Sequence, residues 1–177
     1  AVKFQTFKAE RIVTRDAPKA EYQKRTADAT ESQYDMLRRL ELSTEMHREL
    51  MAYCDERGIL FMSSPFDEDS ADLLANLDVA VFKIPSGEIT NLHFLAHVAR
   101  KGKPMIVSTG MSYLSEVEAA VRTIEEAGNR QLALLHCVSN YPAAPKDANL
   151  MAMRTMATAF GVPVGYSAHT LGIEVPL

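Results

Sequence analysis

The sequence predicts an α/β fold of parallel strands, a (β/α)8 TIM barrel present here as a partial barrel. Three observations predict it. Apolar, strand-like runs recur along the chain with helix-patterned stretches between them, the βαβ repetition that demands right-handed crossovers. Each strand run closes on small polar or ionisable residues: Gln5-Thr6, Ser63-Ser64, Ser86 with Glu88, Ser108-Thr109, Ser139-Asn140-Tyr141, and Ser167 with His169. An open sheet gathers its ligand groups at one switch point, whereas a barrel turns every strand's C-terminal end towards one site. All six strand endings carry such residues, which favours the barrel; six strands fall short of the usual eight.

Taken in order, Ala1 to Thr6 alternates as a strand, with Lys3 and Gln5 on one side. Residues 7–33 show no period, and the pattern predicts a long loop. The first thirty residues hold seven Lys or Arg against four acids, so this loop reads either as a solvated excursion or as a lid over an anionic substrate. Helices are expected over Glu31–Leu40 and Ser43–Arg57, the second with Ser43 as N-cap and Gly58 just past its end. Strand Ile59–Ser63 precedes helix Ser70–Leu77, and strand Val79–Ile84 precedes helix Leu92–Lys101. Strand Pro104–Ser108 leads to helix Ser115–Ala127, where Ser115 and Glu118 have capping-box spacing and Val117, Val121 and Ile124 stripe one face. Strand Gln131–Val138, helix Leu150–Phe160 and strand Val162–Tyr166 complete the series.

At 177 residues and 47% hydrophobic, the chain holds enough apolar side chain for a real core and fits one domain better than two. A net charge of −4 and a pI near 5.7 argue against nucleic acid as the main partner, and no basic run exceeds two residues. Cys54 and Cys137 form no CxxC or zinc spacing, which suits a reduced, cytoplasmic setting. No apolar run has the length of a membrane span. The chain starts without Met inside a strand and ends where a further helix would begin, so a piece of a longer protein is expected.

The chemistry centres on Lys83. In VFKIPSGE an ammonium sits inside an apolar strand, with Phe82 and Ile84 facing one way and Lys83 the other. A buried lysine needs an anion, and Glu88 or a bound ligand would supply it. Lys3 takes an equivalent interior position on its own strand. Two cations with serines at the same rim form what a phosphate or carboxylate needs in a dry pocket. Two other readings stay open: each lysine paired with a neighbouring acid, or a barrel lysine forming a Schiff base with a carbonyl substrate. His169 follows a strand end and fits either hydrogen-bonded structure or metal ligation. His136 fits a core or supporting role, and the nine methionines fit helix packing.

The runs AVKFQT, FMSSPFD, FKIPSGEITN, GKPMIVSTGM, LLHCVSNYP and GYSAHTLGIE, in this order, resemble the catalytic domain of sialic acid (N-acetylneuraminate) synthases. The resemblance implies that residues 1–177 are a partial synthase barrel domain, about strands 2 to 7. The first and last strands and a small C-terminal antifreeze-like domain would lie outside it. It implies a transferase that condenses phosphoenolpyruvate with an N-acylated amino sugar, N-acetylmannosamine-like, to a nonulosonic acid with release of phosphate. A divalent metal, Mn2+ in most members, a cytoplasmic location and a homodimeric parent protein come with it, and neither nucleic acid nor membrane is a partner. Lys3 and Lys83 match the family's phosphoenolpyruvate-binding lysines. Ser64, Ser86, Ser108 and Ser167 match the hydroxyls around phosphate and carboxylate. Glu88 and Tyr141 match positions holding the amino sugar, with Ser139 beside them where some members have asparagine. His169 matches one of two metal-ligating histidines; the second would lie outside this chain. Lys3, Lys83 and Glu88 are then the expected catalytic residues. Ala168 replaces an aspartate common in the family, and Pro85 a small residue. With these absences the 177 residues alone are expected to turn over little or nothing. A legionaminic acid or related nonulosonate synthase, a non-catalytic barrel fragment and a Schiff-base lyase using Lys83 are the alternatives.

Overall fold

A computed structural model describes residues 1–24 and 31–177, which divide into two compact units, Ala1–Val79 and Ala80–Leu177. Part of the expected long loop, 25–30, lies outside the described residues.

In the first unit, β1 (Val2–Thr6) pairs in parallel with β2 (Phe61–Pro65), setting Lys3 opposite Met62 and Gln5 opposite Ser64. Between them come α1 (Ala9–Ile12), α2 (Glu21–Lys24), α3 (Gln33–Arg39) and α4 (Thr44–Glu56), and after β2 comes α5 (Glu68–Asn76). The stretch expected to be loop therefore contains two single-turn helices. It is also partly tied down: Lys19 is 6% exposed and pairs at 3.1 Å with Glu31, which also binds Arg39 at 2.8 Å. Ser32, Ser43 and Asp67 cap α3, α4 and α5 by accepting the backbone N–H groups of Asp35, Met46 and Ser70. The fully buried His47 of α4 lies against Phe61 with its ring edge-on, and Phe4 stacks on Phe61 at 5.3 Å.

In the second unit, β3 (Phe82–Ile84), β4 (Met105–Ser108), β5 (Leu132–Cys137) and β6 (Val164–Ser167) pair in chain order, every pairing parallel. Helices α6 (Leu92–Ala99), α7 (Leu114–Glu126) and α8 (Met151–Phe160) alternate with them. The α/β class with parallel strands is the one the sequence predicts. Phe82, Ile84, Met105, Val107 and Leu134 are at most 1% exposed, as are Leu95, Val98 and Ile124 of the helices. Each such side chain contributes about 1.5–3 kcal/mol of burial.

Strands begin later than their apolar runs, for one reason. Ile59 and Val79 are held by the preceding helices, donating to the carbonyls of Cys54 and Leu74 around the left-handed residues Gly58 and Asp78. Such a helix-ending turn claims two residues that apolar pattern alone assigns to the strand. The capping of α7 also departs from expectation. The helix begins at Leu114, and the carboxylate of Glu116, not Glu118, reaches back to accept the Tyr113 N–H at 2.7 Å.

Candidate active site

Strand register divides the second unit into two faces. Lys83 lies opposite Ile106, Ile106 opposite Ala133, Ser108 opposite Leu135 and Cys137 opposite Ser167, so these residues share one face. Phe82, Ile84, Val107, Leu134 and His136 fall on the other. A cavity of about 670 Å³ is lined by Val117, His136, Cys137, Met151 and Met156 among others. It is not lined by Lys83, Ser86 or Ser108. His136 Nε2 there lies 2.8 Å from the Ala148 carbonyl, a structural bond.

Lys83 is 8% exposed, and its ammonium donates to the Ser108 hydroxyl at 2.6 Å and to the Ile84 carbonyl at 2.8 Å. Glu88, offered as its counter-ion, instead accepts from Asn91 Nδ2 at 3.0 Å. Asn91 in turn caps α6 through Phe94 N–H, so one side chain ties Glu88 to the start of that helix. The reason is geometric. Glu88 ends the short 3-10 turn Ser86–Glu88, three residues before Asn91, where the turn brings the two side chains together.

Ser86 Oγ accepts the Gly110 N–H at 2.9 Å and lies 3.0 Å from Cys137 Sγ. Gly110 is buried, and a Cβ placed on it would overlap Ser139 Oγ and approach Cys137 Sγ and Ser86 Oγ. Ser86, Ser139 and Cys137 thus converge on one glycine. Tyr141 and His169 form a second pair, with ring centroids 4.5 Å apart. His169 Nδ1 lies 2.8 Å from the Val138 carbonyl. An N–H there fixes the tautomer and leaves Nε2 as the nitrogen with the lone pair, the state a metal ligand requires. His169 fits a single ligand position; no group of three or more His, Cys, Asp or Glu among the described residues forms a metal site. Ser167 stands opposite Cys137 at the end of β6.

In the first unit, Ser64 is 2% exposed and shares its face with Gln5, Met62 and Lys3. Lys3 keeps an exposed side chain, yet the protein around its ammonium pushes its pKa below the usual lysine value of 10.5. The opposite face carries a hydrogen-bond chain that sequence reasoning missed. His47 Nδ1 meets the Ser43 carbonyl at 2.7 Å, its Nε2 meets Thr6 Oγ1 at 2.8 Å, and Thr6 Oγ1 meets Ser63 Oγ at 2.7 Å. Its only sequence signal was a histidine in the apolar stripe of a helix. Cys137 and Gly110 were also missed as site residues. The close Ser-Thr-Gly turn was the one hint, because glycine at a strand end marks close approach of other atoms.

Comparison with known proteins gives the family. An N,N'-diacetyllegionaminic acid synthase of Legionella pneumophila is 54% identical over 99% of this chain and 51% of its own length. One from Campylobacter jejuni is 45% identical over 99% of this chain and 53% of its own. The crystal structure of a sialic acid synthetase from Leptospira borgpetersenii superposes with a TM-score of 0.84 at 31% identity, covering 99% of this chain and 56% of that one. The chain spans about half the length of the curated relatives it matches. Since the NeuB family model matches residues 1–177 without a break, the chain belongs to the NeuB family.

Proposed function

We propose that the full-length protein condenses phosphoenolpyruvate with an N-acylated amino sugar to a nonulosonic acid, releasing phosphate. The observation that carries this is Lys83, a buried ammonium bonded to a strand-end serine on the face that also bears Cys137 and Ser167.

Among nonulosonates, the legionaminic reading is favoured over the N-acetylneuraminate reading drawn from sequence motifs. The support is the 54% and 45% identity to proteins named as diacetyllegionaminic acid synthases. Phosphoenolpyruvate carries no nitrogen, so both acetamido groups of such a product must enter on the sugar. The preferred sugar is then a doubly acetamidated aldose rather than N-acetylmannosamine.

The steps are those the family resemblance implies. The enol carbon of phosphoenolpyruvate attacks the sugar's aldehyde carbon, forming the C–C bond and leaving positive character at the carbon bearing the phosphate ester. Water adds there, and the tetrahedral intermediate expels phosphate by C–O cleavage. Lys83, with Ser108, Ser86 and Ser167, holds the phosphate and carboxylate, and Lys3 and Ser64 are further anion-binding residues by family resemblance. Glu88, fixed through Asn91, and Tyr141, its ring tilted against that of His169, orient the sugar, with Ser139 beside them. His169 Nε2 would be one ligand of a divalent metal, Mn2+ by family resemblance, which when bound polarises the aldehyde as a Lewis acid.

The test is phosphate release from phosphoenolpyruvate by the full-length product of this gene, with Mn2+ and sugars bearing one or two acetamido groups. Release is expected with the doubly substituted sugar. Release only with N-acetylmannosamine would return the neuraminate reading, and no release with any sugar would end the proposal.

A further inference from the structure

We infer that Cys137 is a positioning residue that turns the Ser86 hydroxyl into a dedicated hydrogen-bond donor towards the bound anion. The inference rests on the phosphoenolpyruvate reading of the site. It starts from the capacity of one oxygen. A serine Oγ has two lone pairs and one hydrogen. One lone pair of Ser86 is occupied by the Gly110 N–H at 2.9 Å. Cys137 Sγ stands 3.0 Å from the same oxygen, 5% exposed. If the thiol donates, both lone pairs are filled, and the serine's own hydrogen must point elsewhere. If the serine donates instead, its hydrogen goes to sulfur, a weak acceptor. An oxyanion is a far stronger one, so an anion in the site selects the first arrangement.

The packing is consistent with that role. Cys137 lies at the end of β5 on the same face as Lys83 and Ser108, opposite Ser167. A Cβ on Gly110 would come within 2.8 Å of Cys137 Sγ and 2.9 Å of Ser86 Oγ, so the absent side chain keeps thiol, hydroxyl and amide together. Lys83 does the same for Ser108, filling one of its lone pairs at 2.6 Å. Cys137 is thus a buried thiol whose work is orientation rather than nucleophilic attack.

The experiment uses the full-length product carrying Cys137→Ala or Cys137→Ser, each with Ser86 intact and in a Ser86→Ala background. KM for phosphoenolpyruvate, KM for the sugar and kcat are read from phosphate release, with a thermal midpoint for each variant. Cys137→Ala is expected to raise the phosphoenolpyruvate KM about fivefold, the worth of one ordinary hydrogen bond. The sugar KM should stay within about twofold, and Cys137→Ser, which keeps a donor, should restore the lost affinity. In the Ser86→Ala background Cys137→Ala should cost nothing more, because the hydroxyl it orients is gone. An unchanged phosphoenolpyruvate KM in Cys137→Ala, failed rescue by serine, or an equal loss without Ser86 would each overturn the inference. Cys137→Val replaces the alanine variant if that one does not fold. Should the unsubstituted protein turn over no sugar, the proposed function falls. Calorimetry with inorganic phosphate then decides the inference alone: weaker binding by Cys137→Ala supports it, and equal or absent binding overturns it.

Discussion

Lys83 and Gly110 show how single residues shape the candidate site. Replacing Lys83 with Met keeps length and apolar stem but removes the donor to Ser108 Oγ and the Ile84 carbonyl. Phosphate release by the full-length product should fall about 10²- to 10³-fold, the scale for losing one preorganised electrostatic group. Retention of more than a tenth of the activity would remove Lys83 from the mechanism. Gly110→Ala should destabilise by about 1–3 kcal/mol through overpacking against Ser86, Cys137 and Ser139, and weaken phosphoenolpyruvate binding with it. Lys3 gives a pH signature. Burial lowers its pKa from 10.5, so between the lowered value and 10.5 the folded chain binds fewer protons than the unfolded one. Rising pH therefore stabilises the fold through that window, and Lys3→Met should flatten that part of the stability curve. Phosphoenolpyruvate should return the Lys3 pKa towards 10.5, read by NMR titration of the labelled lysine; a value that does not move would separate Lys3 from the anion.

At the level of elements, buried polar links fasten helices to strands. The chain from Ser43 through His47 and Thr6 to Ser63 joins α4 to both strands of the first unit. His47→Ala removes two bonds and the contact with Phe61, and should lower stability by about 2–4 kcal/mol in urea unfolding. A loss below about 0.5 kcal/mol would show that the chain is incidental. Glu41 plays a similar part near the start of α1. Desolvation pushes its pKa up, but the Ala9 N–H at 2.8 Å and the Lys8 ammonium at 3.1 Å outweigh it and hold the carboxyl below 4.5. Its stabilising effect is present above the unfolded value and is lost as pH falls through the lowered one. Glu41→Gln should therefore shrink the acid-side fall in stability, measured by thermal midpoints over that range.

On the scale of the whole molecule, the alternation of strand and helix is what brings strand-end residues distant in sequence to a common face. Ser86, Gly110 and Cys137 belong to three successive strand ends and meet within hydrogen-bond range. On the proposed role of His169 as a metal ligand, chelation of the full-length product should abolish phosphate release and Mn2+ should restore it; activity that survives chelation would remove the metal from the reaction. The chain of 177 residues taken by itself should release no phosphate from phosphoenolpyruvate under the same conditions.

The order of strands and of the longer helices, the interior placement of Lys83 and the clustering of hydroxyls at strand ends were legible in the sequence. They follow from local periodicity, which side-chain alternation and helical pitch impose on any chain. Strand starts at Phe61 and Phe82 were not, because local helix-ending turns hold Ile59 and Val79 to the carbonyls of Cys54 and Leu74, which the apolar pattern does not register. Nor was the partner of Lys83: sequence proximity favoured Glu88, while the register of β3 on β4 delivered Ser108, twenty-five residues away. Sequence by itself determined which residue types each strand brings to its end. Only the tertiary structure decided which of them touch, because contacts across parallel strands depend on register, and register is set by packing many residues at once.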